Sequence, residues 1–152
     1  GMSSAASDVY KRQVAGAQPM LDFQSFPMAE TTKAVNDATL TVLMLETPTA
    51  IRNANDIASV EGVDCLLIGT NDLCMEMGIP GELDHPEIMR AYEQTMTACK
   101  KHGKFVGMGG VYNFDAMRVY IDMGVQLVLA GNDLSFMISA GREQTNKLRS
   151  LV

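Results

Sequence analysis

The stretch Gly62–Leu73, GVDCLLIGTNDL, returns at Gly124–Leu134 as GVQLVLAGNDL once a single residue is skipped. Each copy is a turn, an apolar run of strand length, a glycine and then Asn-Asp-Leu. The apolar runs are continuous rather than alternating, the pattern of parallel strands covered on both faces. Two further runs of this kind, TLTVLMLE (39–46) and KFVGM (104–108), lie outside the repeat.

Helical patterns alternate with these strands. MAETTKAVNDA (28–38) reads as a helix. Thr47 is placed to cap the next one with Pro48 at its first position, where the missing N–H does no harm, and that helix is expected to reach about Ser59. TNDLCMEMG (70–78) reads as a loop with a short helical turn. His85 and Pro86 open a long amphipathic helix with Ile88, Met89, Tyr92, Met96 and Cys99 on one side, and Gly103 stops it. FDAMRVYIDMG (114–124) and most of the chain after Leu134 are again helical. Strand and helix thus alternate four times, and the internal repeat fits a (β/α) barrel. A full barrel has about eight such units and ~250 residues, so four units make a half barrel. An open doubly wound sheet is the alternative, and the glycine-rich loops do not decide between the two: GMGGVYN is not a dinucleotide-binding G-x-G-x-x-G.

Composition narrows the function classes. The chain has 152 residues, 47% hydrophobic and 20% charged, enough for one domain with a core. The net charge of −6 argues against nucleic acid or an anionic membrane surface as a partner. No run approaches the ~20 apolar residues of a membrane span, and the N-terminus has no basic region followed by an apolar one. Cys65, Cys74 and Cys99 are widely spaced, which suggests reduced thiols and a cytoplasmic protein. Residues 3–13, SSAASDVYKRQ, resemble the in-frame translation of a sequencing adapter, and Gly1 before Met2 resembles a tag scar. On that reading residues 1–13 are a non-native tail and residues 14–152 are the C-terminal part of a barrel.

In parallel α/β folds the functional site lies at the carboxyl ends of the strands. Glu46 ends the first strand, where a carboxylate costs free energy unless something positive binds it. Asp72 lies just beyond the second strand and Asp133 in the equivalent place beyond the fourth. Such carboxylates, with water and a chelating substrate, suit a hard divalent ion, Mg²⁺ or Mn²⁺. An Asp before a helix also serves as a plain N-cap, so Asp133 is a secondary candidate. His85, at a helix start, reads as a cap or loop anchor and is the other secondary candidate; His102, at a helix end, reads as structural.

VLMLETPTAIRNANDIASVEGVDCLLIGTNDLCMEMGIPGELDHPEI (42–88), continued by GKFVGMGGVYN and GVQLVLAGNDLSFM, resembles the second half of the HpcH/HpaI aldolases, which include citrate lyase beta-like proteins. The resemblance covers about residues 18–140. It implies a TIM-barrel lyase that cleaves 4-hydroxy-2-oxo acids to pyruvate and an aldehyde, with a divalent metal, Mg²⁺, Mn²⁺ or Co²⁺, and a 2-oxo acid substrate. By position Glu46 and Asp72 match the metal-binding carboxylates. Gly69, Thr70, Asn71 and Asp72 match the loop that holds the substrate carboxylate by backbone N–H groups. Thr70 stands where many members have proline. The family's arginine and histidine base have no match here, and the family implies a homo-oligomer. Two alternatives stand beside this reading: an inactive, self-associating fragment that only binds metal, and a lyase of CoA thioesters.

Overall fold

The computed structural model describes residues 19–24 and 26–151. The expected tail of residues 1–13 therefore lies outside the described residues. The chain divides into two units, residues 1–40 and 41–152. In the first, a 3-10 turn at Pro19–Leu21 is followed by helix α1, Met28–Ala38. Asp22 and Phe23 between them take positive φ, 50° and 58°.

The second unit runs β1 (Val42–Leu45), α2 (Pro48–Arg52), α3 (Ala54–Ala58), β2 (Cys65–Gly69), α4 (Thr70–Glu76), α5 (Pro86–His102), β3 (Phe105–Gly109), α6 (Phe114–Met123), β4 (Leu127–Val128) and α7 (Asp133–Arg149). The four strands form one parallel sheet in the order β1-β2-β3-β4. This is the α/β alternation expected from the repeat.

Local chemistry accounts for most of these boundaries. Thr47 accepts a hydrogen bond from the Ala50 N–H at 3.1 Å and Pro48 follows it, so α2 starts as expected. The single helix anticipated to Ser59 is instead two. Asn53 sits at φ −91°, ψ 5°, outside helical geometry, and both caps α2 and opens α3. Its side chain makes no cap bond to α3, and its N–H is shared between the Thr49 and Ala50 carbonyls, each 3.1 Å away. Gly103, at φ 66°, ends α5 in the left-handed conformation that glycine adopts without penalty. β4 has two residues, against five in β2, its counterpart in the repeat. It is an edge strand with one neighbour, held to β3 by Gln126 N–H to Val106 O and Leu129 N–H to Met108 O, each 2.9 Å.

Register assigns the two faces of the sheet. Leu45, Ile68, Met108 and Val128 align in one row, and Leu66 lies beside Val106 in the next row of that face. These residues pack against the helices, α5 above all, and Leu66, Ile68 and Met108 are fully buried. Ala54 and Ala58, both buried, let α3 approach α5 closely. The opposite face carries Met44, Leu67, Gly107 and Leu127 in one row, with Cys65 and Phe105 below it. Met44, Phe105 and Leu129 remain 53%, 51% and 45% exposed there. The same alternation places Glu46, the residue after β1, on this second face at the carboxyl edge, beside Gly69 and Gly109.

Candidate active site

Position 69 has no side chain, and Glu46 uses the space. A Cβ on Gly69 would fall 2.7 Å from Glu46 Cγ and 2.8 Å from its Oε1, inside van der Waals contact. A Cβ on Gly109, next in the row, would instead meet Leu67 Cδ2 at 3.2 Å and Leu129 Cδ1 at 3.4 Å, so the hollow under the carboxylate is that of Gly69 alone. Asp72 comes from the first turn of α4 and meets Glu46 within hydrogen-bonding reach. The Glu46 carboxyl is held above the ordinary glutamate range, first by desolvation, then by the Asp72 charge and the hydrogen bond between them. A cation between the two would remove the penalty that a shared negative charge imposes.

The donor set fits a hard divalent ion. Two carboxylates converge on one hollow, and among the described residues no group of three or more His, Cys, Asp or Glu side chains is arranged to hold a metal. A two-carboxylate site leaves coordination positions for water and substrate oxygens, the usual arrangement for Mg²⁺ and the oxygen preference of Mn²⁺. Softer metals want imidazole or thiolate, and the three cysteines are buried elsewhere. Burial pushes the Cys65 thiol up to about 11, with Cys99 and Asp64 adding to it, so it is a protonated core residue.

The segment Gly69–Asp72 turns directly from β2 into α4. Gly69 is the N-cap and offers no side-chain acceptor, so the first-turn N–H groups have no cap bond from it. The Thr70 side chain faces the core: it is fully buried and its hydroxyl pairs with the Tyr92 hydroxyl at 2.7 Å. Asn71 and Asp72 are exposed. Gly110, at φ +79°, brings the loop after β3 against Asn71; a Cβ there would lie 3.0 Å from the Asn71 nitrogen and 3.2 Å from Nδ2. The sequence places Tyr92 on the apolar side of α5 but gives no sign of its pairing with Thr70, and Gly110 is not marked as a contact of Asn71. The doublet Gly109-Gly110 was the available signal for the second.

The secondary candidates sit apart from this pair. Asp133 opens α7, and its Oδ1 accepts the Leu134 N–H at 2.8 Å. The skipped residue of the repeat explains the difference from Asp72. Without a counterpart of Thr70, Asn132 becomes the N-cap, accepting Ser135 N–H at 2.8 Å, and Asp133 moves to the first helical position. His85 caps α5, its Nδ1 accepting the Glu87 N–H at 3.2 Å. His102 contacts Asn55 Oδ1 at 3.1 Å, which Lys101 Nζ also reaches at 2.9 Å.

Comparison with known proteins matches residues 9–140 to the model of the family described as HpcH/HpaI aldolase/citrate lyase. A 4-hydroxy-4-methyl-2-oxoglutarate aldolase of Hapsidospora irregularis is 38% identical over 104 residues, 68% of this chain and 38% of that protein. A 5-keto-4-deoxy-D-glucarate aldolase of Klebsiella pneumoniae is 36% identical over 99 residues, 65% of this chain and 38% of that protein. The chain thus spans well under half the length of these curated relatives. The crystal structure of an HpcH/HpaI aldolase from Desulfitobacterium hafniense shares the fold, with a TM-score of 0.72 at 23% identity over 98% of this chain and 61% of the other.

Proposed function

Because this chain belongs to the HpcH/HpaI aldolase/citrate lyase family, we propose that it serves a metal-dependent carbon–carbon lyase that cleaves 4-hydroxy-2-oxo acids to pyruvate and an aldehyde. The observation that carries this is the Glu46–Asp72 pair over Gly69 at the carboxyl edge of the sheet. Glu46 and Asp72 would hold a divalent ion, Mg²⁺, Mn²⁺ or Co²⁺. When bound, that ion supplies a Lewis acid for the substrate's keto oxygen.

The chain's own groups do the positioning. The backbone N–H groups of Gly69, Thr70, Asn71 and Asp72 would meet the substrate carboxylate. Gly69 leaves the room that the Glu46 side chain occupies. As the C3–C4 bond breaks, the C4 hydroxyl loses its proton and becomes the aldehyde; the electron pair left on C3 spreads onto the keto oxygen until C3 takes a proton and gives pyruvate. Fixed positive charge at that oxygen acts where negative charge develops, which is how such a site lowers the barrier. His85 and His102 are engaged at the two ends of α5 and receive no proton-transfer role.

In this reading residues 14–152 form the last four βα units of an eight-unit barrel. The exposed apolar face with Met44, Phe105 and Leu129 supports burial against further protein, here additional copies of the chain. The same face favours the second reading, a self-associating fragment that binds metal without turnover. Pyruvate formation from a panel of 4-hydroxy-2-oxo acids with saturating Mn²⁺ separates the two. Release that disappears in Glu46→Gln supports the lyase; no release with Mn²⁺ bound supports the fragment.

A further inference from the structure

We infer that Tyr92 is a positioning residue of this site, acting through the Thr70 hydroxyl to set the first turn of α4 and so the aim of Asp72; this rests on the metal-binding reading above. Thr70 Oγ1 and Tyr92 OH lie 2.7 Å apart, and both residues are fully buried. Tyr92 sits mid-way along the 17-residue α5. Its ring stacks on Tyr120 with centroids 4.1 Å apart and planes 28° apart. The Tyr120 hydroxyl in turn donates to the Leu83 carbonyl. A chain of contacts therefore runs from the loop before α5, through two stacked rings, to the residue that opens α4.

Helical geometry makes that anchor directional. Residues two apart lie about 200° around the axis from each other. With Thr70 held inward, Asp72 is turned outward toward Glu46. Leu73 and Cys74, both buried, anchor the next turn, and Thr70 is the buried side chain of the first. Gly69 contributes no cap bond, so nothing on its side chain fixes where α4 begins. A valine–phenylalanine pair would fill similar space with no hydrogen bond to orient it. Burial pushes the Tyr92 phenol above its ordinary value, so the contact is a pair of neutral hydroxyls across the working pH range.

The test compares Tyr92→Phe, Thr70→Val and Thr70→Ser, the last keeping the hydroxyl. Amide hydrogen exchange is read at Cys74, Met75 and Glu76, whose N–H groups bond back to residues 70–72 in an α-helix, with the core of β2 and β3 as reference. Mn²⁺ affinity is read by calorimetry. Tyr92→Phe and Thr70→Val are expected to speed exchange at 74–76 by about five- to a hundredfold more than in the reference strands, the effect of leaving one buried hydroxyl without a partner. They are expected to weaken Mn²⁺ binding about tenfold, as loss of a group that orients a ligand does. Thr70→Ser should stay near the parent chain in both. Exchange at 74–76 unchanged, or raised by the same factor throughout the sheet, overturns the inference and leaves the pair a core contact. Unchanged Mn²⁺ affinity alongside a loosened turn overturns it too. If the parent chain takes up no Mn²⁺, the metal reading fails, and the exchange pattern alone decides whether the pair holds the turn.

Discussion

Glu46 reaches its position only because residue 69 is glycine: the two are 23 positions apart in the chain, and the carboxylate arm of one crosses the α-carbon of the other. Gly69 itself sits at φ −80°, ψ 84°, a conformation open to any L-residue. The requirement is for space, not for backbone freedom. Gly69→Ala should therefore fold, displace Glu46, and weaken Mn²⁺ binding about as much as Glu46→Gln does. Calorimetry with circular dichroism as the folding control checks this. Retained affinity in the alanine variant would show that the hollow is not needed.

The acids divide by role. Glu46→Gln and Asp72→Asn should each abolish Mn²⁺ binding, because with only two carboxylates the loss of either leaves a single protein ligand. Asp133→Asn should change it little, since that carboxylate serves the Leu134 N–H at the start of α7. Titration calorimetry on the three variants separates them. Full affinity in both of the first two would remove the metal from this site.

The raised Glu46 carboxyl sets a pH dependence of stability in metal-free solution. Its folded value lies above its unfolded one, so the folded chain holds more protons in the window between them. Stability is thus greatest below the ordinary glutamate value and falls as pH rises through the raised one. Glu46→Gln has no proton to lose. With chelator present, its thermal midpoint should exceed the parent's by up to a few degrees at neutral pH, and the gain should vanish below about pH 4. A variant less stable than the parent at neutral pH would contradict the like-charge account.

His85 caps α5. Removing its Nδ1 acceptor leaves the Glu87 N–H without that partner. His85→Ala should cost about 0.5–2 kcal/mol of stability, the usual loss for a helix N-cap. Mn²⁺ affinity and any pyruvate release should stay unchanged. A drop in turnover with stability intact would return His85 to the chemistry.

The open face of the sheet predicts association. Met44 and Phe105, about half exposed, lie on the side opposite the helices. Met44→Ser with Phe105→Ser should shift sedimentation toward the monomer while leaving the helix-covered core, and hence the far-ultraviolet spectrum, intact. A parent chain that sediments as a monomer at all concentrations would rule out self-association through this face.

Much of this molecule was legible in order along the chain. The continuous apolar runs marked the four strands. Thr47-Pro48, His85-Pro86 and Gly103 marked helix ends, because capping depends on residues within one turn of each other. Glu46 stood out since a carboxylate at the end of an apolar run has no local reason to be there. Other features had no local signature. Asn53 split a helix whose apolar pattern ran on. β4 pairs with β3 over Leu127 and Val128 alone, although its apolar run is as long as that of β2. Asp72 and Asp133 occupy matching places in a repeat, yet one missing residue made the first a partner of Glu46 and the second the opening residue of a helix. Thr70 and Tyr92 are 22 residues apart, and Gly110 meets Asn71 across two strands. Contacts of that kind arise only when parallel strands align in register and a helix closes over them, so the energy that fixes them comes from chain segments that no short window of sequence contains together.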